Sequence, residues 1–223
     1  MSLPRIGDRI GSNSGSEGLP PGYTRLEYIQ STGTQYIKTD FFVPAEGLYL
    51  WADVQFVGTS AIINGNENFF DYSNISWTGA NIGSSSYQIY ELYNWWGNYN
   101  VSAGKAAFAI VSSKEVVNSR NIYEVKDLTV TYGPHQLSIP NQGLGAETEF
   151  PFLIFGRYRN GAEEVQPFGR WNMRIFEMKL GLRDGTIVQH LVPVLDSNDR
   201  PGLHDLISGQ TFRNGGEGEF LFN

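Results

Sequence analysis

Closely spaced carboxylates are the residues of this sequence best suited to acid–base chemistry. Glycoside hydrolases need two carboxyl groups facing one groove, about 5 Å or about 6.5–9.5 Å apart. Acids two or four residues apart share a face of a strand, and such pairs are Glu147 with Glu149, Glu217 with Glu219, and Glu67 with Asp71. We interpret the first two pairs as solvated turn charges, because ionised carboxylates are rarely buried. The third pair lies in an Asn-rich stretch typical of a loop. The sequence therefore predicts no catalytic residue and a protein that is not an enzyme, with a glycoside hydrolase as the more distant alternative.

Metal chemistry is equally poorly supported by the spacing of the possible ligands. The three histidines, His135, His190 and His204, share no metal-ligand spacing, and each is predicted to be a surface or turn residue. The segment that begins at Asp196 resembles a calcium loop, but Arg200 occupies a ligand position and Ile207 stands where the bidentate glutamate belongs. We predict a turn there, no metal site and no cofactor.

The segment with the clearest binding chemistry runs from Tyr87 to Asn100, where aromatic residues alternate with amides. Aromatic rings offer flat faces to sugars, and amides both donate and accept hydrogen bonds to hydroxyl groups. The same rings could instead fill the core, with Trp95 and Trp96 plugging it. The predicted glycan platform consists of Tyr90, Tyr93, Asn94, Trp95, Trp96, Asn98 and Tyr99. A second, weaker candidate loop carries Asn66, Asn68, Asp71 and Tyr72.

A glycan platform of this size would bind weakly. One or two stacked rings at about 0.5–1.5 kcal/mol each, with a few hydrogen bonds at about 1 kcal/mol each, give roughly millimolar affinity. Attachment through such a site needs many copies on one particle, where avidity can rise by about 10²–10⁴.

Short β-rich segments separated by turn residues must position these groups. Leu48 to Phe56 alternates apolar and polar residues, which predicts a strand with one face on the core. Phe176 to Leu180, Asp184-Gly185 and Ile187 to Val194 predict a hairpin. Further strands are predicted at 106–111, 128–132, 150–155 and 171–180. No window predicts an amphipathic helix, so the fold class is all-β, an antiparallel two-sheet jelly-roll sandwich.

Composition narrows the classes of protein and of partner. The chain has 223 residues, of which 40% are hydrophobic and 17% charged, and a net charge of −7. These values favour one globular domain and disfavour a nucleic-acid partner, which needs clustered Lys and Arg. No apolar segment predicts membrane insertion or a secretory signal.

Residues 1–21 differ in composition from the remainder. They are rich in Gly, Ser and Pro and cannot bury enough surface to fold alone. We predict an extended N-terminal arm, a candidate docking segment, followed by one domain at residues 22–223.

The segment from Gly22 to Thr39 resembles the opening of a family of concanavalin A-like (laminin-G-like) jelly-roll modules found in phage structural proteins and bacterial surface proteins. The segments Phe152–Arg157, Ile175–Leu180, Gly202–Asp205 and Thr211–Gly215 agree with it in order. The resemblance implies two antiparallel sheets and a non-catalytic binding role, with no catalytic residues to carry over.

Together these features predict a phage virion structural protein: a capsid decoration, head fibre or tail component that displays the jelly roll outward. The expected partners are capsid or tail proteins, contacted through the arm, and a host-surface glycan, with a homo-oligomer also possible. The expected location is the virion. The alternative is a carbohydrate-binding module of a bacterial cell-surface protein.

Overall fold

The computed structural model describes residues 18–57, 65–73, 76–83, 88–95, 119–127, 129–138, 148, 150–158, 165–167 and 172–223, and for 65–95, 157–167 and a few other strand positions it describes the backbone alone. Within these residues the fold is all-β, with no helix, and its antiparallel sheets form a sandwich-like arrangement. In this part of the chain no helical segment has the length and apolarity that crossing a bilayer requires. The predicted fold class is confirmed.

The described strands are, in chain order, β1 (Thr24–Arg25), β2 (Ile29–Gln30), β3 (Ile37–Lys38), β4 (Leu48–Val57), β5 (Gly65–Ser73), β6 (Ser76–Gly83), β7 (Gln88–Trp95), β8 (Arg120–Lys126), β9 (Thr129–Tyr132), β10 (His135–Ser138), β11 (Leu153–Ile154), β12 (Gly156–Tyr158), β13 (Val165–Pro167), β14 (Asn172–Leu182), β15 (Ile187–Leu195), β16 (Pro201–Asp205), β17 (Thr211–Arg213) and β18 (Leu221–Phe222).

Two sheets carry most of these strands. The large sheet has the order β10-β9-β8-β4-β14-β15-β16-β17, and β1, β2 and β18 join it beside this path. The second sheet has the order β3-β11-β5-β6-β7, and β12 and β13 form a separate pair. One hydrophobic cluster joins Ile37 and Ile154 of the second sheet to Leu50, Val54 and Ile175 of the large one. The core therefore lies between the two sheets.

β4 shows how sequence alternation produces this core. Its residues alternate strictly between buried and partly exposed along the whole strand, with Leu50, Ala52 and Val54 fully buried. Successive side chains of a strand point to opposite faces, so every second residue of β4 faces away from the core. The predicted alternation is confirmed.

The predicted hairpin is formed by β14 and β15. Asp184 accepts a hydrogen bond from the Thr186 amide through Oδ1 (2.9 Å), and Gly185 has a φ of 93°, which favours glycine. At Gly181 a Cβ atom would lie 2.1 Å from the Thr186 carbonyl oxygen, so only glycine fits beside this turn. Turn chemistry and close backbone approach thus fix the reversal at the predicted position.

The two ends of the described chain meet on the large sheet. β1 pairs with β15, and β18 pairs with β2. The C-terminal strand therefore returns beside the N-terminal segment. The predicted strand at 106–111 and residues 1–17 of the predicted arm lie outside the described residues. The strand predicted at 150–155 is shorter than expected, with β11 limited to Leu153–Ile154.

Candidate functional site

The predicted glycan platform falls partly on β7. Tyr90, Tyr93, Asn94 and Trp95 belong to this strand, which ends the path of the second sheet among the described strands. The backbone register places Tyr93 opposite Gly79, Asn94 opposite Thr78, and Trp95 opposite Trp77. The other predicted residues, Trp96, Asn98 and Tyr99, lie outside the described residues.

The second candidate loop is wrong as a loop. Asn66, Glu67, Asn68, Asp71 and Tyr72 all lie in β5, which pairs with β6 along its length. The register of this pair shifts twice, between Asn68 and Phe70 and between Asp71 and Ser73. Bulges break the regular alternation of a strand, which explains why an Asn-rich, irregular segment was not recognised as one.

The prediction that each histidine is a surface or turn residue is wrong for His204. His204 lies in β16 and is 1% exposed, with Nδ1 2.9 Å from Thr211 Oγ1 and the Tyr23 ring centroid 5.5 Å away. Burial lowers the pKa of His204, although Asp205 opposes this effect. His190 is half-buried in β15. Neither residue is in a turn; His135 lies in β10, where the backbone alone is described.

The described side chains with the most organised chemistry lie on the solvent-facing side of the large sheet, here called the outer face. Register pairing orders its side chains into rows that cross neighbouring strands. The first row holds Arg120, Gln55, Arg174 and Gln30, the second holds Ile122, Asp53 and Glu177, and the third holds Glu124, Trp51, Lys179 and His190.

Two carboxylates occupy the second row. Asp53 and Glu177 are register partners on β4 and β14. Asp53 accepts a two-pronged hydrogen bond from Arg120, through Nε (2.8 Å) and NH2 (2.6 Å). Glu177 Oε1 lies 2.7 Å from His190 Nε2 and 3.1 Å from Lys179 Nζ, and its Oε2 lies 3.9 Å from Arg25 NH2. Each carboxylate is thus tied to cations of an adjacent row or strand.

The electrostatics of Glu177 follow from these partners. Burial alone would raise its pKa, but the hydrogen bonds from His190 and Lys179 outweigh that effect and lower it. A general acid for glycoside hydrolysis needs a raised pKa, so Glu177 is held as a carboxylate. The Arg120 guanidinium binds Asp53 side-on, through two parallel N–H groups.

Aromatic rings support the cations of the outer face. A β-bulge between Ile175 and Glu177 leaves Phe176 without a register partner on β4, and the Arg120 guanidinium lies 3.8 Å from the Phe176 ring centroid. Lys179 Nζ lies 4.5 Å from the Trp51 ring centroid. Such contacts contribute about 0.5–1 kcal/mol each at exposed sites. They fix the positions of flexible side chains on an open surface.

Sequence reasoning missed the outer face for a definite reason. The polar residues of β4 were visible in the alternation, but their neighbours are set by strand register. Asp53 and Glu177 become adjacent only when β4 pairs with β14, whereas spacing along the sequence relates only acids of a single strand. The signal available was the bulge residue Phe176, an apolar residue next to Ile175 in an otherwise alternating strand.

A pocket at the β14–β15 turn is a weaker candidate binding site than the outer face. It is an open depression of about 610 Å³, lined by residues that include Pro44, Glu46, Asp127, Arg183 and Asp184. Arg183 is ion-paired with Asp127 (2.7 Å), and Asp184 caps the turn. The outer face brings more polar and aromatic side chains together in register, so we place the candidate site there.

The segment after Asp196 is a turn, as predicted. Asp196 Oδ1 accepts hydrogen bonds from the amides of Asn198 (2.8 Å) and Arg200 (2.9 Å), and Oδ2 lies 2.7 Å from Arg213 NH2. Burial opposes ionisation, but the amide hydrogen bonds and the Arg200 and Arg213 guanidinium groups prevail and lower the pKa of Asp196 to about 2. Among the residues with described side chains, no group of three or more His, Asp or Glu could hold a metal ion.

This turn predicts a specific loss of stability in acid. Because folding lowers the pKa of Asp196 from 3.8 to about 2, its stabilising contribution is complete above about pH 4 and is lost as the pH falls toward about 2. We expect the difference in melting temperature between wild type and Asp196→Asn to shrink over that interval. Thermal unfolding at a series of pH values measures it, with Glu217→Gln on the exposed tail as control. A difference that is constant across the interval would contradict the prediction.

Comparison with known proteins adds no family: no protein-family model matches the chain, and no curated protein matches it.

Proposed function

We propose that this chain is a non-catalytic display module of a bacteriophage virion, a concanavalin A-like jelly roll that attaches the particle to a glycan surface. The observation that carries the proposal is the outer face, where aromatic, amide and guanidinium side chains stand in register across at least four strands. Fixed rows of this kind suit recognition of a repeating polymer, because binding then orders few side chains.

The state of the two outer-face carboxylates supports binding over hydrolysis. Asp53 and Glu177 are close enough in register to suggest a catalytic pair, but hydrolysis needs one of the two as a protonated acid. Glu177 has a lowered pKa, and Asp53 accepts two hydrogen bonds from Arg120. Glu177 therefore favours the charged form, which can accept hydrogen bonds from sugar hydroxyls.

The position of the N-terminal segment on the large sheet supports the display of the jelly roll on a virion. β1 and β18 both join the large sheet, so the segment that follows the proposed arm is fastened to that sheet. Tyr23 contributes to this fastening, because its hydroxyl lies 3.4 Å from Thr211 Oγ1 and its amide donates to the Pro20 carbonyl (3.1 Å). An arm that begins there can dock on a capsid or tail protein without disturbing the sandwich.

A glycan array tests the binding part of the proposal. Because a single site is weak, the protein is presented as a multivalent complex on streptavidin. We expect wild type to label a defined set of glycans, and Trp95→Ala/Trp96→Ala to lose most of that signal if β7 and the residues after it supply the stacking platform. Trp51→Ala reports on the outer face, and Phe222→Ala, on an exposed aromatic of β18, is the control.

The outcomes of the array are distinct. Loss of signal in Trp95→Ala/Trp96→Ala places the platform at β7, whereas loss in Trp51→Ala places it on the outer face. An array on which wild type labels no glycan, or a reducing-sugar assay in which wild type releases new reducing ends, would contradict a non-catalytic glycan-binding role.

A further inference from the structure

Arg174 differs from the other cations of the outer face in the partners that it has. Arg120 is paired with Asp53 at 2.6 Å, and Lys179 with Glu177 at 3.1 Å. The hydrogen bonds described for the Arg174 guanidinium go instead to amide oxygens, from Nε to Gln30 Oε1 (2.8 Å) and from NH1 to Gln55 Oε1 (3.0 Å). Both of these acceptors are neutral.

The guanidinium is also held in place. It lies 4.3 Å from the Tyr28 ring centroid, and its two amide partners stand on the strands either side of β14. Gln30 is 6% exposed, so one of these partners is itself buried. A guanidinium clamped between two amides and a ring has little freedom left to lose when a ligand binds.

The consequence is a guanidinium with no carboxylate among its described hydrogen-bond partners. Arg174 is half-buried, and a charge withdrawn from water is stabilised most by an opposite charge that also forms hydrogen bonds. Amide oxygens satisfy N–H groups but provide no counter-charge. A ligand carboxylate would supply it through short, charge-assisted hydrogen bonds, which guanidinium groups form with planar geometry.

We propose that Arg174 marks a subsite for the carboxylate of an acidic polysaccharide, one built from uronic acids. This inference rests on the proposed glycan-binding function and names its ligand class. Arg120 stands two strands away in the same row, about 10 Å from Arg174 at ordinary strand spacing. Its side chain is 50% exposed, so the guanidinium that is paired with Asp53 also faces solvent along the row.

The simpler interpretation is that Arg174 only ties β2, β4 and β14 together. That role predicts a fall in melting temperature when Arg174 is replaced, but no selectivity for anions. The two interpretations therefore predict different affinities of the variants for anionic polymers. They also predict different behaviour of the Arg174 Nε–H resonance in the wild-type protein.

Calorimetry with polygalacturonate, neutral dextran and dextran sulfate separates these interpretations. We expect wild type to bind polygalacturonate at least tenfold more tightly than dextran, and Arg174→Gln to lose most of that preference. Arg183→Gln, which removes the same charge from the Asp127 ion pair, should keep it. Arg174→Lys retains the positive charge but not the two parallel N–H donors of the guanidinium, so it should also bind polygalacturonate weakly. In wild type, the Arg174 Nε–H resonance should shift on titration with galacturonate, whatever the stability of the variants.

Each outcome decides between the proposals. Equal affinity for polygalacturonate in wild type and Arg174→Gln, or an Nε–H resonance that does not move, would overturn the Arg174 subsite. Dextran sulfate binding weakened equally by Arg174→Gln and Arg183→Gln would show diffuse charge attraction and would overturn it too. Tight binding of neutral glycans independent of Arg174 would leave the proposed function intact, whereas binding of none of the polymers, with no glycan labelled on the array, would defeat both.

Discussion

Replacing Asp205 by alanine is expected to lower the free energy of unfolding by roughly 3–5 kcal/mol, because hydrogen bonds to a charged group contribute about 1.5–3 kcal/mol each and buried donors would lose their acceptor. Asp205 is 0% exposed at the end of β16. Its carboxylate accepts hydrogen bonds from the amides of His190 (2.8 Å), Ile207 (3.1 Å) and Ser208 (3.1 Å), and from Ser208 Oγ (2.6 Å). One side chain thus joins β15 to the turn that follows β16.

Urea unfolding measures the change in the free energy of unfolding, and thermal unfolding measures the change in melting temperature. For a chain of this size each kcal/mol shifts the melting temperature by about 2–4 °C, so we expect a drop of about 10 °C for Asp205→Ala. Asp205→Asn keeps the shape and part of the acceptor capacity and should lie between wild type and alanine. Glu217→Ala, on the exposed tail, is the control. An Asp205→Ala protein within about 1 kcal/mol of wild type would contradict the role given to this carboxylate.

Replacing Phe152 by alanine should remove about 3–5 kcal/mol of stability, the usual effect of emptying a large aromatic site in a core. Phe152 is 0% exposed, in the hydrophobic cluster shared by the two sheets. Its amide donates to the Phe41 carbonyl (2.7 Å), and its own carbonyl accepts from the Thr39 amide (3.0 Å). The backbone therefore holds the ring in position and limits collapse around the cavity.

Phe42, an exposed phenylalanine, provides the control for the Phe152 variant. Phe42 is 41% exposed, so Phe42→Ala is expected to change stability by no more than about 0.5 kcal/mol. Phe152→Leu should cost about 1 kcal/mol, because most of the volume is kept. Equal losses in Phe152→Ala and Phe42→Ala, measured by urea unfolding, would mean that the sheets do not share one core.

Local patterns were sufficient to predict the elements of the fold that depend on local interactions. The strict alternation from Leu48 to Phe56 predicted both the strand β4 and its buried face. The Asp184-Gly185 turn predicted the β14–β15 reversal, because a positive φ at Gly185 and an aspartate cap are local requirements. These features need no knowledge of which strands pair.

Features set by pairing could not be predicted in this way. Asp53 and Glu177 became register partners because β4 and β14 pair, and the bulge at Phe176 decides which residues of β14 share the outer face. His204 was expected on the surface, but β16 is buried along its whole length. The Asn-rich sequence of the bulged strand β5 has low β-propensity and predicts a loop, but pairing with β6 outweighs that preference.

Immunogold labelling of phage particles purified from the source culture tests the virion display proposal most directly. With antibodies raised against residues 22–223, we expect gold on intact particles in many copies, and no gold on particles assembled with a chain that lacks residues 1–21. The truncated chain should keep its melting temperature, which shows that the sandwich itself is unchanged. Particles without label, with the protein found in the bacterial envelope, would contradict virion display and favour a cell-surface carbohydrate-binding module.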